Sequence, residues 1–71
     1  AVGLGPGWAE AHFGLGNALK DLGRTDEAKA AFTRAIGLRP DFARAMYNRG
    51  NVLRDEGRVA AAEADYRAAL V

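Results

Sequence analysis

The chain lies over itself when it is shifted by 34 positions. Ala9, Ala11, Gly16, Asn17, Leu19, Asp21, Gly23, Arg24, Ala28, Ala30 and Ala35 then fall on Ala43, Ala45, Gly50, Asn51, Leu53, Asp55, Gly57, Arg58, Ala62, Ala64 and Ala69. Those are 11 identities, where average composition would give roughly two or three. Phe13/Tyr47, Lys20/Arg54, Phe32/Tyr66 and Ile36/Leu70 match in type. A fixed period of this length is the mark of a stacked repeat, in which each unit buries its apolar face only against its neighbours. The first eight residues join the pattern, with Ala1 to Trp8 falling on Ala35 to Phe42. The chain divides into the tail of a preceding repeat and linker (1–8), one full repeat (9–42) and a second copy (43–71) that stops before its terminal proline. It reads as a piece of something longer.

Each repeat predicts two helices. Residues 9–22 contain no proline, and Ala11, Leu15, Ala18, Leu19 and Leu22 recur at helical spacing. Gly23 follows, and a glycine just past a periodic run takes the left-handed backbone without a Cβ clash. Thr25 is placed to cap the next helix, and Asp26 and Glu27 fall in its first turn, where they complement the helix dipole. Ala28, Ala31, Phe32, Ala35 and Ile36 make a buried stripe, and Pro40 forbids continuation. The second copy repeats the plan about Gly57, with Val59 in the place of Thr25. The expected helices run near 9–22, 25–37, 43–56 and 59–70, with a stub of an earlier helix in 1–4 and no strand. Gly16 and Gly50 are expected to face the other helix of their pair, and Phe32 and Tyr66 to be large knobs between repeats.

A chain of 71 residues without cysteine has neither disulfides nor thiolate metal sites to supplement a small core, so the usual remaining source of stability is regular helix packing or association with more protein. Ten basic and nine acidic residues give a net charge of +1, which argues against a nucleic-acid or anionic-membrane partner recognised by bulk field. No apolar run approaches the ~18 residues of a membrane span. Residues 1–8 lack the basic and apolar segments of a signal peptide.

The pattern His12, Leu15, Gly16, Leu19, Gly23, Ala28, Phe32, Ala35 and Pro40, repeated as Met46, Gly50, Leu53, Gly57, Ala62, Tyr66 and Ala69, resembles the tetratricopeptide repeat. The resemblance covers the whole chain. It implies an all-α fold of antiparallel helix-turn-helix repeats, about two repeats and four helices, stacked as a right-handed α-solenoid. It further implies a scaffold that binds proteins or peptides and carries no catalysis or cofactor of its own. His12 and Met46 depart from the usual aromatic, Arg49 from the leucine matched by Leu15, and Glu56 from Leu22. Arg49 and Glu56 are expected to snorkel from helix edges.

Catalytic patterns are missing. There is no serine, and His12 is the only histidine, with no cysteine to join it on a zinc ion. The glycines at 3, 5 and 7 and at 14 and 16 lack the preceding strand and the spacing of a phosphate loop. Glu10, Asp21, Asp26, Glu27, Asp55, Glu56, Glu63 and Asp65 are expected on solvated helix faces.

A candidate binding stripe remains. Helical spacing puts Glu10, Phe13, Asn17 and Lys20 on one line of the first helix, and Arg44, Tyr47, Asn51 and Arg54, with Asn48 beside them, on the matching line of the third. Asparagine amides offer a donor and an acceptor to an extended peptide backbone, Lys20, Arg44 and Arg54 suit carboxylates, and Phe13 and Tyr47 suit apolar side chains. The resemblance implies that the first helix of each pair lines a concave groove. Family members that clamp a terminal carboxylate place a lysine near Phe13 and asparagines at Asn17 and Asn48. This chain has both asparagines and no lysine at 13. The Gly-Arg-x-x-x-Ala style of these repeats also resembles the substrate-binding arm of protein O-glycosyltransferases, whose catalysis lies in a separate domain. A third reading is a self-assembling unit that associates through uncovered repeat ends, because the last helix is rich in alanine around Val59, Tyr66 and Leu70.

Overall fold

The computed structural model describes residues 6–70. Four helices follow in order: α1 (Pro6–Asp21), α2 (Thr25–Leu38), α3 (Ala43–Asp55) and α4 (Val59–Ala69). No strand occurs among the described residues, and the expected stub in 1–4 lies outside them. α1 begins at Pro6, earlier than the expected residue 9. Proline suits a first turn, since its missing N–H has no intrahelical partner there. The matching Pro40 is spent on a turn instead. The Arg39 N–H still reaches the Ala35 carbonyl, the Phe42 N–H reaches Arg39, and α3 starts only at Ala43.

Both hairpin turns close in the same way. Gly23 and Gly57 have φ of +79° and +82°. The Gly23 N–H donates to the Lys20 carbonyl and the Arg24 N–H to Leu19. Gly57 and Arg58 make the same two bonds to Arg54 and Leu53. These paired 5→2 and 6→1 bonds satisfy carbonyls left open at the helix end. The expected cap at Thr25 is not formed. Arg24 is the N-cap, without a side-chain bond to the helix, and Thr25 is already the first helical residue of α2.

Within each pair the helices meet over a glycine. A Cβ on Gly16 would lie 2.6 Å from the Phe32 ring, and one on Gly50 would lie 2.9 Å from the Tyr66 ring. Phe32 and Tyr66 therefore each fill their own hairpin, and Phe32 also shares a core with Ala45 and Val52 of the second repeat. Phe32 is fully buried among Ala9, Ala28, Ala35, Phe42, Ala45 and Val52, with Phe13, Leu19 and Ile36 packed alongside. Burial of such a ring stabilises by about 1.5–3 kcal/mol. The α2 stripe of Ala28, Ala31, Phe32 and Ala35 is buried as expected. The apolar line on α1 is not. Leu15 is 51% and Leu22 71% exposed, because α1 turns Ala9, Phe13 and Gly16 inward and leaves that line on the far side from α3.

The two hairpins join through α2 and α3, and charged side chains stitch the joint. Lys29 Nζ donates to Glu56 at 2.7 Å. Arg49 donates through Nε and Nη2 to both oxygens of Asp65 at 2.8 and 2.7 Å, and through Nη1 to the Thr33 hydroxyl at 3.1 Å. Three sequence expectations are corrected here. Asp65 is 8% exposed, not solvated. Arg49 is held by a two-pronged ion pair rather than snorkelling, and that pair raises its pKa further above the ordinary arginine value. Glu56 is bound across the joint, where the Lys29 ammonium, and to a lesser extent the Arg58 guanidinium, hold its carboxyl below the usual range.

Candidate functional site

α1 and α3 lie side by side, and the expected stripe is built on them. At its centre Asn48 Nδ2 donates to Asn17 Oδ1 at 2.7 Å, a bond from one repeat to the other. Asn51 Oδ1 accepts from the Tyr66 hydroxyl at 2.5 Å. Each amide is half-buried. These bonds leave Asn17 Nδ2, Asn48 Oδ1 and Asn51 Nδ2 without a partner among the described residues, so donors and an acceptor alternate along the face.

The stripe divides at its two ends. Toward the helix N-termini, Glu10 is taken up by Arg39 at 3.0 Å and Arg44 at 3.5 Å. The Arg44 guanidinium lies 5.3 Å over Phe13 and 5.7 Å over Phe42. Phe13, 4.9 Å from Phe42 between ring centres, is largely a core side chain. Toward the C-termini, Lys20 has no ion pair among the described residues, and Arg54 meets only its neighbour Asp55 at 4.0 Å. Tyr47 is exposed beside Tyr66, with ring centres 5.4 Å apart. One end is thus charge-neutralised and the other is basic.

A family model for the tetratricopeptide repeat matches residues 13–71. The chain belongs to the tetratricopeptide repeat family. No curated protein matches it. Family membership makes the chain a protein-interaction scaffold in general terms, and repeats of this family are typically non-catalytic. No helix among the described residues is long and apolar enough to cross a membrane, and no three of their metal-ligating side chains gather.

The tetratricopeptide repeat also has a groove away from this face. It is an open depression of about 210 Å³ between α1 and α2, lined by His12, Leu15, Leu19, Glu27, Ala31 and Arg34 among others. His12 is half-buried there with its ring 6.0 Å from Trp8. Sequence reasoning passed over this groove, and it missed the Arg49–Asp65 pair. Leu15 to Arg49 and Ala31 to Asp65 are opposite charges gained together between copies, and that coincidence was the available signal.

Proposed function

We propose that the α1/α3 face binds an extended, acidic-to-polar peptide segment of a partner protein. The observation that carries this reading is the Asn17–Asn48 bond with Asn51 alongside. It leaves half-buried amide groups in a row that suits the alternating N–H and C=O groups of an extended backbone. Lys20 and Arg54 at the open end favour peptide carboxylates. Tyr47 gives an apolar neighbour for a side chain, while Phe13 and Glu10 serve mainly to hold the face together. Two repeats offer little area, so affinity belongs at the weak end of specific interfaces and falls with added salt.

The test is titration of a short, unstructured peptide rich in aspartate and asparagine into the chain and into the Asn17→Ala/Asn51→Ala double variant. The reading expects binding by the first and none by the second, with circular dichroism showing the variant still helical at the temperature of the titration. Equal binding by both rules out the face.

A further inference from the structure

We infer that Glu10 sets the specificity of the α1/α3 face: its carboxylate fills a two-arginine site and so confines the acidic side chains of a bound peptide to the Lys20 and Arg54 end. The inference rests on the reading of that face as a peptide site, and adds which carboxylates the face refuses. The site that Glu10 fills is made by Arg39, in the turn after α2, and Arg44, in the first turn of α3. Both guanidiniums reach one oxygen, Glu10 Oε2, Arg39 through Nη1 at 3.0 Å and Arg44 through Nη2 at 3.5 Å. Both also have aromatic supports. Arg39 lies 4.7 Å over the Phe42 ring, and Arg44 lies 5.3 Å over Phe13 and 5.7 Å over Phe42. Phe42 is 2% exposed, so the platform is fixed by the core. A guanidinium stacked on an aromatic face keeps its N–H groups for a carboxylate.

The two ends of the face differ in how their donors are committed. Arg39 also meets Asp41 at 3.8 Å, so two guanidiniums already face two carboxylates at the Glu10 end. At the other end Lys20 has no ion pair among the described residues, although Asp21 adjoins it in sequence, and Arg54 meets only Asp55, at 4.0 Å. A peptide carboxylate therefore finds open donors at Lys20 and Arg54 and occupied ones at Arg39 and Arg44. Glu10 is about half-exposed, and an ion pair of that kind is weak in itself. It holds its place because it is tethered. A short link gives a group an effective concentration of millimolar order, which a side chain on a weakly bound peptide does not match. The repeat carries the same choice in sequence. Arg44 stands 34 positions after Glu10, so the two copies place opposite charges at one position, and those two side chains meet each other across the joint. Glu10 thus does more than hold the face together.

The test is calorimetric titration of two peptides into the wild type and into Glu10→Gln. One peptide is unstructured and rich in aspartate and asparagine; the other has every aspartate changed to asparagine. Glutamine keeps the side-chain length and releases both guanidiniums. Exposed ion pairs contribute little to stability, so the variant stays folded, which circular dichroism checks. The aspartate-rich peptide should bind Glu10→Gln about three- to tenfold more tightly than the wild type, and the all-asparagine peptide should gain nothing. Adding Arg44→Gln to Glu10→Gln should remove most of the gain. Glu63→Gln, on α4, makes the same change of net charge away from the face and should give no gain. Unchanged or weaker binding of the aspartate-rich peptide by Glu10→Gln, an equal gain for both peptides, or an equal gain from Glu63→Gln overturns the inference. The peptide reading of the face then still stands if Asn17→Ala/Asn51→Ala abolishes binding. No binding of either peptide to the wild type or to Glu10→Gln overturns that reading and the inference together.

Discussion

Gly16 and Gly14 sit two positions apart on α1 and should respond oppositely to alanine. A Cβ on Gly16 would press to 2.6 Å on a buried ring, while one on Gly14 meets nothing within 4 Å. Overpacking costs about 1–3 kcal/mol, and replacing glycine inside a helix returns up to about 1 kcal/mol. Gly14→Ala is expected to raise the melting temperature and Gly16→Ala to lower it. The Arg49–Asp65 pair gives a second test at this scale. Asp65→Ala leaves a guanidinium without its partner and should cost about 1–3 kcal/mol in a denaturant melt. The double change Arg49→Leu/Asp65→Ala installs the residues the first repeat already uses at 15 and 31 and should recover most of that loss. The inward glycine was legible in the sequence because it recurs at 16 and 50. The ion pair was not, because each charge taken alone resembles an ordinary solvated helix residue.

Helices and turns follow from local chemistry, and so their tests are local. Gly23 and Gly57 have positive φ with open space around them, so their substitution cost comes from backbone strain and not from crowding. Gly23→Val or Gly57→Val should each cost more than about 1 kcal/mol. A variant melting at the wild-type temperature would contradict the turn. The joint between elements is sensitive to acid. The Glu56 pKa is lowered in the folded chain, so its contribution is present above the unfolded carboxylate value of about 4.3 and is lost as pH falls through the folded value. Glu56→Gln should melt below the wild type at neutral pH, with the difference vanishing in strong acid. Helix ends at the glycines were readable because the left-handed turn demands a particular residue. The start of α1 was not, since the prolines at 6 and 40 look alike in sequence, and only the Phe42–Arg39 backbone bond marks Pro40 as part of a turn. Thr25 misled because the helix already includes it and Arg24 takes the cap position, a shift of one residue that local composition does not reveal.

At the scale of the whole molecule, the repeat period made the two helical hairpins legible, since both copies carry the same turn glycine and the same inward glycine. The same period placed the candidate stripe on α1 and α3. It did not show that Glu10, Arg39 and Arg44 neutralise one another, or that Phe13 is mostly core, because those facts depend on the distance between repeats. The central claim is that the α1/α3 face is the one that takes a peptide. Amide-resolved NMR during titration of an unstructured aspartate- and asparagine-rich peptide tests it most directly. The account predicts shifts at the side-chain amides of Asn17, Asn48 and Asn51 and the backbone around Lys20 and Arg54, with the groove at Leu15 and Arg34 unmoved. Shifts confined to the groove, or none on α1 and α3, would contradict it.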